Sequence, residues 1–271
     1  MNNKKQTFAL KGTICYSSSQ TELSVTERGY LVCEDGRCVG VFGEFPEKYA
    51  GIECTDFGDE LIIPGLTDLH LHAPQYTFRS SGMDLELLDW LNTYTFPQEA
   101  RYADIDFAKE AYSIFVEDMK KSPNTRACMF GTLHVPATEL LMEMLDKTGM
   151  KTMVGKVNMD RNGSLELQEE SAQASADATV QWIEDTLDKF ENVKPILTPR
   201  FTPSCSDELM EKLSEIQKKY HLPMQSHLSE NFGEIAWVKE LCPNTHFYGE
   251  AYSQFDLFGG DCPTIMAHCV H

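Results

Sequence analysis

His70-Leu71-His72 closes the apolar run Leu61-Ile62-Ile63-Pro64-Gly65-Leu66-Thr67-Asp68-Leu69. On a β-strand, residues i and i+2 share a face, so both imidazoles aim at one spot. Two imidazoles converging at a strand end make half of a metal site. Two further histidines repeat the pattern. His227 ends the run before Leu228-Ser229-Glu230, and His268 ends Thr264-Ile265-Met266-Ala267. Four such ligands suit zinc or iron(II). Glu230, three residues past His227, is placed to lean over the ion, take a proton from its water and pass it to a leaving group. Arg200 ends another strand-like run. A guanidinium cannot ligate a metal, so the set points to one ion, not two.

These residues need a scaffold that brings several strand ends together. Residues 1 to 60 read as all-β: Thr7–Leu10, Tyr30–Cys33 and Cys38–Phe42 are strand-like, with a hairpin turn at Glu34-Asp35-Gly36-Arg37. From residue 61 the rhythm becomes strand, loop, helix. Strands are predicted over Leu61–His70, Arg126–Leu133, Lys151–Asn158, Pro195–Arg200, Leu222–His227 and Thr264–His268. Amphipathic helices are predicted over Ile105–Lys120, Ala137–Thr148, Ala172–Phe190, Ser206–Tyr220 and Gly233–Leu241. Alternating strands and helices imply parallel βα units and an α/β fold of TIM-barrel, (β/α)8 type. His70, His72, Arg200, His227, Glu230 and His268 all fall at or just past strand C-termini, where such barrels carry their active sites. Only six strands precede His271, so the barrel is expected to be incomplete here and the sequence a fragment of a longer chain.

The formal charge of −19 argues against nucleic acid or an anionic membrane as partner. No apolar run is long enough to span a bilayer, and Met1 to Lys11 contains no signal-peptide core. Nine irregularly spaced cysteines without a C-x-x-C fit a reduced, cytoplasmic compartment. There is no Gly-rich phosphate loop, no G-x-S-x-G and no H-E-x-x-H. Pro203-Ser204-Cys205-Ser206-Asp207, before a helical pattern, reads as a helix N-cap rather than a nucleophile site. His134 also ends a strand and reads as structural or as a neighbour of the substrate. His221 and His246 read as surface or helix-end residues, and Lys156 as a mid-strand residue. Trp90 reads as helix core or pocket wall.

Taken together, these residues resemble the amidohydrolase superfamily and, within it, the guanine deaminases. The superfamily pattern is Pro64-Gly65-Leu66-Thr67-Asp68-Leu69-His70-Leu71-His72. The narrower resemblance rests on Ala73-Pro74-Gln75-Tyr76, Leu88–Pro97, Gly155–Asp160, Pro199-Arg200-Phe201, Gln225–Asn231 and Met266-Ala267-His268. It implies zinc, one per chain, on His70, His72, His227 and His268, with iron as the other candidate. It implies Glu230 as proton shuttle and Gln75, Arg200 and Phe201 as the residues that hold the purine. The implied reaction is hydrolytic deamination of guanine to xanthine and ammonia. The implied architecture is a small N-terminal β-sandwich, residues 1–60, before the barrel, residues 61–271, in a homodimer. The family's fifth ligand, an aspartate on the eighth strand, has no counterpart in these 271 residues. Two alternatives follow: a related amidohydrolase deaminating or dechlorinating another heterocycle, or an inactive fragment.

Overall fold

The computed structural model describes residues 6–164 and 166–271. The basic run Met1–Lys5, the start of the predicted β domain, lies outside the described residues, as does Leu165. The chain forms two compact units that divide between Gly65 and Leu66.

The first unit is a four-stranded sheet of β1 (Thr7–Ser17), β2 (Leu23–Glu34), β3 (Arg37–Phe42) and β4 (Glu53–Ile62), ordered β3-β2-β1-β4. β1 and β3 run antiparallel to β2, and β4 runs parallel to β1. The β2–β3 turn places Asp35 at φ 52° and Gly36 at φ 78°. Two left-handed central residues give the turn whose twist matches a hairpin. Ala9, Val32 and Tyr49 form its small buried core.

The apolar run before the histidines is two strands rather than one. Leu61 and Ile62 end β4, and the histidine strand β5 spans Leu66–His72. Pro64, which has no N–H to give a ladder, marks the break.

The second unit has an α/β fold with a parallel sheet. Its strands are β5, β6 (Asn124–Phe130), β7 (Lys151–Gly155), β8 (Val157–Asn158), β9 (Val193–Pro195), β10 (Thr198–Pro199), β11 (Met224–Leu228) and β12 (Thr264–His268). Ladders join β5-β6-β7-β9, β8 to β10, and β11 to β12, all parallel. A parallel bridge between Leu197 and Met224 continues the series. Taking β7 with β8 and β9 with β10 as two interrupted strands, each of the six strands neighbours the next in sequence, the order expected of serial βα units. The strands approach closely: a Cβ on Gly155 would lie 1.7 Å from Thr198 Oγ1. Among the described residues, the outer edges of β5 and β12 carry no ladder partner.

The helices are α1 (Leu87–Trp90), α2 (Phe96–Ala100), α3 (Ile105–Lys121), α4 (Val135–Asp146), α5 (Ala172–Thr186), α6 (Asp207–Tyr220), α7 (Phe232–Leu241) and α8 (Glu250–Ser253). α3 shows why they form. Asp104 caps it by accepting from the N–H groups of Asp106 and Phe107, and Lys120 and Lys121 sit at its negative C-terminal end. Ala108, Ala111, Tyr112, Phe115 and Met119 recur every three or four residues and bury one face. Ser206 caps α6 by accepting from Leu209 N–H at 3.1 Å. No described helix is long and apolar enough to cross a membrane.

Candidate active site

Strand alternation pairs His70 with His72, and strand ends bring His227 and His268 to them. His70 and His72 lie on one face of β5, with ring centroids 5.1 Å apart. His227 is on β11 and His268 ends β12, where Leu228 pairs with His268 across the ladder. The His70 ring lies 4.9 Å from His227 and 5.0 Å from His268. Ligand nitrogens of His70, His227 and His268 lie within 4.8 Å of one another. The Nε2 atoms of His72 and His227 are 2.9 Å apart.

The electrostatics keep these rings neutral. Burial, followed by the neighbouring His268, pulls His70 down to about 4. Burial and the adjacent imidazoles hold His72 and His227 well below the usual histidine range. Burial also lowers His268. A neutral imidazole keeps a lone pair for an ion. His227 Nδ1–H donates to the carbonyl oxygen of Arg200 at 2.6 Å, which leaves Nε2 as the free donor atom. His70, His227 and His268 therefore form a compact donor set that suits one transition-metal ion, with His72 beside His227.

Glu230 stands beside the set, its Oε2 3.3 Å from His268 Nε2. Burial raises its carboxyl to about 7; the like charge of Glu234 adds to the rise, and Arg200 opposes it. The turn that aims it is tied down. Ser229 adopts φ 52°, and Glu234 Oε2 accepts from Glu230 N–H at 2.9 Å and from Asn231 N–H at 3.2 Å. Tyr248 OH donates to the other oxygen of Glu234 at 2.6 Å.

His70, His72, His227, His268, Glu230, Gln75, Arg200 and Phe201 line one cavity of ≈ 150 Å³, walled also by Leu87, Trp90 and Leu91. All eight residues singled out from the sequence thus meet at one place. Trp90 is a wall residue whose indole N–H donates to Ser81 O at 2.9 Å. His134 does not line this cavity; it occupies the N-cap position of α4 without a side-chain capping hydrogen bond. Lys156 is buried and ion-paired with Glu169, and His221 ends α6 in the left-handed region.

Besides Glu234 and Tyr248, three more supporting residues escaped the sequence reading. Phe130, fully buried, stacks on His72 at 4.4 Å and meets the edges of His70 and His227. Tyr252 OH donates to the carbonyl of His227 at 2.7 Å. Glu99, on α2, holds Arg200 through both guanidinium nitrogens and accepts from Gln75 Nε2 at 2.9 Å. Its only local trace is an acid in the otherwise uncharged run Asn92–Ala100, which by itself reads as surface.

The chain matches the amidohydrolase family over residues 61–271. Guanine deaminase of Dictyostelium discoideum is 43% identical over 217 residues, which cover 80% of this chain and 48% of that protein. Guanine deaminase of Rattus norvegicus is 44% identical over 210 residues, 77% of this chain and 46% of the relative. The chain spans about half the length of these curated relatives. Among solved structures, guanine deaminase from C. acetobutylicum with guanine bound in its active site superposes with a TM-score of 0.94 at 45% identity. That match covers 98% of this chain and 63% of the other.

Proposed function

The chain belongs to the amidohydrolase family, and we propose that it carries the site of a guanine deaminase, which converts guanine and water to xanthine and ammonia. One observation carries this reading: four neutral imidazoles and a carboxylic acid share one cavity with Gln75, Arg200 and Phe201. The guanine-bound relative supports the choice of ring.

His70, His72, His227 and His268 would hold one zinc ion, iron(II) being the other ion that suits imidazoles. When bound, such an ion supplies a water acidic enough to ionise near neutral pH. Glu230 takes that proton and returns it to the departing nitrogen. A carboxyl placed beside the imidazoles can make both transfers. Arg200 donates to the ring carbonyl, and Phe201 packs against the ring face. With Gln75 they fix the ring so that C2, not C6, faces the imidazoles.

The finer architecture belongs to the same proposal. The six βα units are read as six of the eight in a TIM barrel, which the unpaired edges of β5 and β12 support. The aspartate that the family carries on its eighth strand would complete the ligand set. The β3-β2-β1-β4 sheet is read as part of a small β-sandwich. A homodimer in the cytoplasm completes the reading; nine free thiols suit a reducing compartment.

A panel of purines, pyrimidines and halotriazines, assayed for ammonia and chloride release at measured metal content, tests it. Guanine is expected to be the preferred substrate. A metal-replete protein that prefers another ring, or turns none over, would overturn the proposal.

A further inference from the structure

We infer that Glu99 is a positioning residue that sets which edge of a heterocycle this cavity accepts, an inference that rests on the cavity being a purine site. Glu99 is 1% exposed and Arg200 2% exposed. Nη1 and Nη2 of Arg200 each donate to one oxygen of Glu99, the second at 3.1 Å. Gln75 Nε2 donates to Glu99 Oε1 at 2.9 Å. Two consequences follow from chemistry alone.

A carboxylate can only accept. Gln75 must therefore turn its NH2 towards Glu99, which leaves its carbonyl oxygen for the cavity. Glu99 also neutralises the guanidinium. An unpaired buried arginine would favour an anion, whereas a paired one offers N–H donors to a neutral oxygen. Donors from Arg200 beside an acceptor from Gln75 match a ring that carries C=O next to N–H. The ligand class is thus a neutral purine with a lactam edge. 2-Aminopurine, with no carbonyl and no N1–H, leaves both partners unpaired.

The test compares binding of guanine and 2-aminopurine to the zinc-loaded protein and its variants, with zinc content and circular dichroism measured on each. Unmodified protein should prefer guanine. Glu99→Gln should lower that preference about 10- to 100-fold at unchanged zinc content, because a charge-assisted clamp is lost. Glu99→Asp, which keeps the charge, should lie between the two and serves as the test if Glu99→Gln fails to fold. A preference for guanine that is unchanged in whichever variant folds overturns the inference, as does its absence from the unmodified protein. Guanine preference without ammonia release leaves the inference standing and sinks the deaminase reading instead.

Discussion

The ring of His227 and the backbone of Arg200 are joined by a 2.6 Å hydrogen bond from Nδ1 to the carbonyl oxygen. One strand end thus fixes the tautomer of a metal-ligand candidate on the next. Because the acceptor is main chain, it survives any side-chain change at Arg200. Arg200→Lys also keeps a cation for Glu99, so it should leave metal content unchanged while weakening guanine binding at least ~10-fold, as a lysine cannot replace a bidentate fork. His227→Ala removes one of the proposed ligands. It should lower metal affinity by ~100-fold or more, the upper end of what loss of a mere ligand-supporting partner costs. Chelator competition followed by metal analysis separates the two variants.

Glu230 is held by its neighbours without being a metal ligand in this reading. Glu230→Gln keeps the size and loses the proton. We expect kcat to fall roughly 10²-fold or more with metal content intact. Full turnover in that variant would remove the proton-shuttle role.

The histidines were legible because strand alternation and strand ends are local patterns. His70 and His72 share a face for the same reason that any i and i+2 pair does. Ser206 as an N-cap and Asp35-Gly36 as a hairpin turn were legible likewise, each being a few residues of backbone chemistry. Glu99 was not. Its partner Arg200 lies 101 positions along the chain, and only the fold brings α2 beside the end of β10. Phe130 looked like one more apolar strand residue, since no local signal tells a ring that stacks on His72 from one that fills core. The break at Pro64-Gly65 had a local signal; the continuous apolar run masked it.

Burial of the imidazoles gives the metal-free protein a defined pH response. His70 titrates at about 4 when folded and near the ordinary 6.5 when unfolded, and burial shifts His72, His227 and His268 the same way. Between those values the unfolded chain binds more protons than the folded one. Glu230, raised to about 7, works the other way because the folded chain keeps its proton where the unfolded one loses it, but one carboxyl opposes four imidazoles, so stability should rise with pH across this window and change little above about 7. Urea midpoints of the metal-free protein from pH 4 to 7.5 should show the rise. A flat or falling profile would mean that the rings are not buried as described.

Tyr252 supports His227 from behind and offers a stability test away from the cavity. Its hydroxyl donates to His227 O at 2.7 Å, accepts from Thr202 N–H at 3.1 Å and lies 2.9 Å from Ser226 Oγ. Ser226 has a second partner in the carbonyl of Pro199 at 2.7 Å. Tyr252→Phe keeps the ring and strips the hydroxyl, so it should cost about 1–3 kcal/mol, the penalty of leaving buried groups unpaired. For a chain of this size that is a fall in Tm of several degrees, at about 2–4 °C per kcal/mol. Because the carbonyl it frees belongs to His227, metal affinity should drop with it, whereas Tyr248→Phe, whose hydroxyl serves Glu234, should lower kcat more than metal affinity. Equal metal affinity in Tyr252→Phe and the unmodified protein would show that the β11 backbone holds His227 without this hydroxyl.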